Sequence, residues 1–158
     1  MSRLLQRSTT LSIAAAIVLI DQLSKAGLSA ILVDGRSIPA IPWILSLQLV
    51  HNSGAAFSLF SRSTELLGLL SLLVSLGILV WIGRQRAIPF WQGLATACLL
   101  GGTLGNGLDR WRLGYVVDFL ALVPINFPIF NGADIAINLA VLCFGIDLWL
   151  NRHDGDHA

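Results

Sequence analysis

Two aspartates carry the most suggestive chemistry in this chain. Asp118 sits in Val116-Val117-Asp118-Phe119-Leu120, a β-branched and aromatic run in which a carboxylate faces apolar neighbours, and such a site raises a carboxyl pKa unless another group compensates. Asp134 follows Asn131 at what reads as a helix start, where a carboxylate can equally serve as a cap. Pro124, Asn126 and Pro128 lie between the two; they stop a single helix and let the chain fold back. If the carboxylates meet, they cannot both ionise at ~3 Å and share one proton, supplying an acid and a base at one pH. With one water between them, that is peptide hydrolysis without a metal or a covalent intermediate. Spacing alone leaves this as one chemistry among several.

Other polar residues stand where they are expensive. A charge deep in a bilayer costs at least ~2.5 to 3.5 kcal/mol, so each is a functional candidate. Asp21 and Lys25 are four apart on one helix with the acid first, the favoured order for an ion pair on one face. A clamp tying that helix to a neighbouring loop explains them better than direct chemistry, because paired charges are poor acids and bases. Asn138 lies one turn beyond Asp134. Asp147 is 13 residues past Asp134, ~20 Å at 1.5 Å per residue, too far to join a dyad. His51 has no second nitrogen or sulfur ligand beside it and reads as a strand-end residue rather than a metal ligand. Phe57, Phe60, Phe119, Trp43 and Trp111 suit either an aromatic lid or, more commonly, interface anchoring.

The elements that position these residues must live in a membrane. The chain has 158 residues, 55% apolar and only 12% charged, with mean hydropathy +0.76; soluble domains carry about 25% charged residues. By length it is one domain, residues 1–158. A net charge of +1 offers no basic field for nucleic acid. Cys98 and Cys143 lie inside apolar runs, against a disulfide framework or a zinc site. A span needs ~20 mostly apolar residues, and four segments qualify, at about 9–31, 66–83, 87–108 and 133–150. A cleavable leader at Arg3 and Arg7 is disfavoured, since no small-x-small site precedes a polar mature region.

Arg3, Arg7, Arg84, Arg86 and Arg152 fall on one side of the four-span arrangement; Arg36, Arg62, Arg110 and Arg112 on the other are mixed with acids. Basic residues favour the cytoplasm, so both termini are expected there. The two outer connections, about 32–64 and 105–132, are far longer than the inner turn at Arg84-Gln85-Arg86, which puts function outside. Leu45, Leu47 and Leu49 alternate with Ser46, Gln48 and Val50, after Pro39, Pro42 and Trp43. That period of two predicts a half-buried strand, hence a small extracytoplasmic sheet on the membrane surface. Gly93, Ala97, Gly101 and Gly105 form a small-residue stripe that lets helices approach closely.

GGTLGNGLDRWRLGYVVDF at 101–119, FNGADIAIN at 130–138, DQLSK at 21–25 and HNSGAAFSLF at 51–60 occur in one chain and in a definite order. Together they closely resemble lipoprotein signal peptidase, the bacterial signal peptidase II family, over the whole length. The resemblance implies a four-helix membrane fold and catalytic aspartates at Asp118 and Asp134. It implies a polar surround of Asn52, Gly54, Asn106, Asp109, Arg110, Asn131 and Ala133, with Asp21 and Lys25 as the family's first-helix pair. Arg110 remains open between orienting the site, anchoring a headgroup and pairing with Asp109.

The implied reaction is removal of the signal peptide from a diacylglyceryl-modified prolipoprotein, just before the lipidated cysteine. No metal or cofactor is implied. The implied partners are prolipoprotein substrates and membrane lipids, for a monomer in the bacterial inner membrane. The family's usual β-branched residue before Ala-Asp and Ser after it are here Gly132 and Ile135, which loosens the turn and removes a capping hydroxyl. Against the resemblance, a proton-coupled carrier would show internal repeats, and a metal-dependent lipid phosphotransferase would cluster its acids; neither pattern is present.

Overall fold

The computed structural model describes residues 4–33, 35–54 and 64–155, with side chains as far as residue 151. In chain order the elements are β1 (Leu4–Gln6), α1 (Arg7–Ile31), β2 (Ser37–Ile41), β3 (Leu45–Asn52), α2 (Thr64–Arg84), β4 (Ala87–Pro89), α3 (Phe90–Leu113), β5 (Val116–Leu122) and α4 (Gly132–Gly155).

The helices are built inside out relative to a soluble bundle. On α1 the buried residues are Thr10, Ala14, Asp21 and Lys25, one face at helical spacing, whereas Leu19, Ile20 and Leu23 point outward. Apolar outside and polar inside is what a hydrocarbon solvent selects. α1, α2 and the Gly132–Asn151 part of α4 are long and apolar enough to cross a membrane. α3 is not among them, although residues 87–108 qualify as a span by their sequence. It is the bundle's central helix, packed on the other three, and its buried residues are glycines, Ala95, Ala97 and Leu100 together with Thr96, Asn106 and Asp109. Shielding by its neighbours, rather than its own hydropathy, suits it to this place.

The small-residue stripe packs against the N-terminal segment and α1. A Cβ at Gly93 would stand 2.9 Å from Leu5, one at Gly101 2.7 Å from Ile17, and one at Gly105 2.6 Å from Asp21 Oδ2. Gly102, one residue off the stripe, faces α4, where a Cβ would stand 2.5 Å from the Ala133 carbonyl. On α2 the buried residues Gly68, Ser75 and Ile82 repeat every seven, and Trp111 Nε1 donates to the Gly68 carbonyl at 3.0 Å.

The expected third span begins at Phe90 rather than 87 and runs on to Leu113. Ala87–Pro89 pairs instead with Leu4–Gln6 in a two-stranded antiparallel sheet, an element with no alternation long enough to read. Pro89 then starts the helix without needing to donate a hydrogen bond. At the other end of the bundle, β2, β3 and β5 form an antiparallel sheet in that order. The expected strand at 45–50 is β3. The β2–β3 connection closes with Ile44 N on the Ile41 carbonyl at 3.1 Å, Pro42 leading and Trp43 at φ 66°; a left-handed bulky residue is unusual there. Leu32, Leu49, Val117 and Phe119 bury together and fasten the sheet to the end of α1.

Candidate active site

β5 brings Asp118 to the helix bundle. Val50 is its partner on β3, and Asn52, opposite Val116, is its diagonal neighbour on the same face. Asn52 Nδ2 donates to Asp118 Oδ2 at 2.9 Å. Gly54 N donates to Asn52 Oδ1 at 3.0 Å, which leaves Nδ2 to face the carboxylate.

The fold-back expected from Pro124, Asn126 and Pro128 closes on Phe130, which exchanges backbone hydrogen bonds with Leu120 at 2.8 and 3.0 Å. That bridge sets Asn131 beside Asp118, and its Nδ2 donates to Asp118 Oδ1 at 2.6 Å. Asn131 also caps α4. Asp134 N donates to Asn131 Oδ1 at 3.0 Å while Asn131 N donates to Asp134 Oδ2 at 3.1 Å, a reciprocal pair of the capping-box kind. Capping and proximity to Asp118 are therefore both true of Asp134. The asparagine does the work of the absent hydroxyl at Ile135, which points outward. A Cβ at Gly132 would meet Asp21 Oδ1 at 3.6 Å, an ordinary contact, so packing on α1 does not require a glycine there.

Asn106 repeats the pattern from α3. Its Oδ1 accepts from Lys25 Nζ at 2.9 Å and Asn131 Nδ2 at 3.0 Å, leaving its Nδ2 to donate to Asp134 Oδ1 at 2.8 Å. Three asparagines thus hold the two carboxylates, each with its own oxygen engaged by a donor.

Behind them lies a buried ionic clamp. Lys25 Nζ reaches Asp21 Oδ2 at 2.8 Å, Asp109 Oδ2 at 2.9 Å and Asn106, using all three of its protons. Asp21 Oδ1 accepts from Ala133 N at 2.9 Å, and Asp109 Oδ2 from Val117 N at 3.1 Å. The pair therefore ties α1 to α3, β5 and the start of α4, rather than to a loop. Gln22, which sequence reasoning passed over, donates to Asp109 Oδ1 at 2.9 Å; the signal was a polar residue beside Asp21 in an apolar helix. Arg110 Nη2 donates to the Gly54 carbonyl at 3.2 Å and Nη1 to the Asn106 carbonyl at 3.3 Å. It links the end of β3 to α3 rather than pairing with Asp109.

Asp118 is 2% exposed, and burial pushes its carboxyl up to about 6. The Asn52 hydrogen bond works against this, the Asp134 charge adds to it, and Asn131 and Lys25 oppose it.

The remaining candidates lie elsewhere. His51 packs on Tyr115 with ring centroids 4.5 Å apart. Asp147 accepts from Asn151 at 3.1 Å, and Asn138 donates to the Asp134 carbonyl at 2.8 Å on the exposed side of α4. Trp43 is fully out at the hairpin tip and Trp111 packs on α2. Phe57 and Phe60 fall outside the described residues. Cys98 and Cys143 are free.

The family model for signal peptidase (SPase) II matches residues 13–150, a stretch that contains both aspartates and both halves of the clamp. The chain belongs to the signal peptidase II family. It is 60% identical over 155 residues to the lipoprotein signal peptidase of Parasynechococcus marenigrum (strain WH8102), covering 98% of each chain. With the lipoprotein signal peptidase of Thermosynechococcus vestitus it shares 44% identity, covering 84% of this chain and 85% of that one. A solved bacterial membrane enzyme superposes with TM-score 0.87 at 26% identity, over 98% of this chain and 95% of the other. A second does so with TM-score 0.80 at 28% identity, over 89% and 92%. This signal peptidase II family member is therefore a protease, and the question passes to which of its groups cut and what they cut.

Proposed function

We propose that the chain removes the signal peptide from diacylglyceryl-modified prolipoproteins, cutting just before the lipidated cysteine with a water activated by Asp118 and Asp134. The observation that carries this is Asn131, whose side chain holds Asp118 at 2.6 Å and whose backbone holds Asp134 at 3.1 Å. The relatives' shared name, lipoprotein signal peptidase, supports the substrate class.

The ionised member of the pair takes a proton from water as the oxygen attacks the scissile carbonyl carbon, and the protonated member polarises the carbonyl oxygen. Collapse of the tetrahedral intermediate breaks the C–N bond, and a proton passes to the leaving amine. The three asparagine amides and Arg110 fix the carboxylates and the adjoining β3 end, because amide and guanidinium donors have set directions. All four long helices span the membrane in this reading, α3 inside the other three. The termini are cytoplasmic, and the site lies at the outer boundary, where both acyl chains and water reach it. The 158 residues act as a single domain and as a monomer.

The test is cleavage of a purified lipid-modified precursor by Asp118→Asn and Asp134→Asn in the presence of a chelator. Wild type cuts regardless of chelator, and each variant stays in the membrane and does not cut. Full activity in either variant removes the assignment.

A further inference from the structure

α3 touches all three other helices, but α2 and α4 stand apart on its two flanks. A groove of about 260 Å³ opens between them, floored by Gln92, Thr96 and Leu99 of α3 and walled by Gly77 and Trp81 of α2 and Phe144 of α4. We infer that this groove seats the apolar helical segment of the signal peptide being removed. The inference rests on the peptidase reading above and adds where the substrate's membrane part lies.

Three observations support this occupant. The floor is continuous with the catalytic centre: Gln92, Thr96, Leu99, Thr103, Asn106 and Arg110 follow at intervals of four, three, four, three and four along α3, which keeps them on one face. The depth also matches. Thr96 and Leu99 precede Asn106 by ten and seven residues, and Phe144 follows Asp134 by ten, so the groove lies ~10–15 Å along the bundle from the carboxylates. The apolar region of a signal peptide has ~7–15 residues, ~10–22 Å as a helix; with its cleavage point between the aspartates, it passes through that depth.

The third observation is shape. Gly77 has no atom within 4 Å of where a Cβ would stand, so the wall is open where a guest helix would approach. Small residues beside large apolar ones are what close helix contact in hydrocarbon uses, with Trp81 and Phe144 as the flanking pieces.

Gly77→Phe adds a ring at the groove's wall from a Cβ that meets no atom within 4 Å. It is expected to raise KM for a full-length lipidated precursor about tenfold, the effect of losing one good apolar contact region, with kcat unchanged. For a lipidated precursor shortened to lack its apolar segment, Gly77→Phe and wild type are expected to be indistinguishable. An unchanged KM with the full-length precursor, or equal losses with both precursors, overturns the inference.

A second experiment does not depend on the catalytic assignment. A benzoylphenylalanine at position 77 in the Asp118→Asn background, illuminated with precursor in phospholipid vesicles, is expected to crosslink to the precursor's apolar segment. Crosslinking to phospholipid alone makes the groove a lipid site and overturns the inference. If Asp118→Asn cuts after all, the peptidase assignment falls while the crosslink still reports the groove's occupant.

Discussion

Asn131 and Asp134 cap one another: the side-chain oxygen of each accepts the other's backbone N–H, at 3.0 and 3.1 Å. Since Asn131 also donates to Asp118, one residue sets the start of α4 and the relation between the two carboxylates.

Replacing Asn131 separates these duties. Asn131→Ala loses the cap, at about 1 kcal/mol, and takes the Asn131 donor from Asp118 Oδ1, leaving only Asn52 on Oδ2; kcat is expected to fall at least a hundredfold, by analogy with removing a single preorganised donor. Asn131→Ser keeps a capping oxygen and is expected to restore thermal stability in detergent but not kcat. Recovery of both together would show that the amide acts only as a cap.

Lys25→Met leaves Asp21 and Asp109 as buried, unpaired acids, and removing one partner of such a group costs about 3–5 kcal/mol. The midpoint of thermal unfolding should drop steeply. Adding Asp109→Asn to Lys25→Met removes one of the stranded charges and should recover part of the loss. A Lys25→Met protein as stable as wild type would mean that the clamp holds nothing.

Asp118 titrates at about 6 because it is buried. A pair that works with one shared proton loses that proton as pH rises, so kcat/KM is expected to decline on the alkaline side with a midpoint near 6. Asn52 donates to the carboxylate and so favours its ionised form. Asn52→Ala should therefore move the decline to higher pH. A shift to lower pH contradicts the assigned cause.

Glycines on α3 differ from those on lipid-facing surfaces. A Cβ at Gly105 would stand 2.6 Å from Asp21 Oδ2 and 3.1 Å from Ala133 Cβ. Gly105→Ala is expected to push α4 from α1, break the Asp21–Ala133 hydrogen bond and abolish activity. Gly145, inside α4, has nothing within 4 Å, and Gly145→Ala is expected to stabilise by up to about 1 kcal/mol with activity intact. Detergent melting curves and precursor cleavage report both.

Much of this was legible in the linear chain, because a bilayer writes its demands locally. Long apolar runs marked the helices, the alternation at Leu45–Val50 marked β3, and charges inside apolar runs marked Asp21, Lys25, Asp118 and Asp134, whereas Asn52, Asn106, Asp109 and Arg110 entered through the family resemblance. The Gly93–Gly105 stripe announced a close helix contact without saying with what. The β1–β4 pair stayed hidden because three residues are too few for a period.

Only the folded chain decided the pairings. Whether Asp134 caps a helix or belongs with Asp118 was undecidable from spacing; the Phe130–Leu120 bridge delivers the Asn131 that caps α4 with Asp134 and also bonds Asp118. Lys25 has one sequence neighbour of opposite charge but three partners in space, and Gln22 acquires its partner Asp109 only because α3 lies alongside α1. Residue type and hydropathy act through the immediate solvent and so are encoded position by position. A hydrogen bond needs its two atoms within about 3 Å, and for residues 13 or 81 positions apart, as Asp118 and Asn131 or Lys25 and Asn106 are, that distance is set by helix packing and strand register.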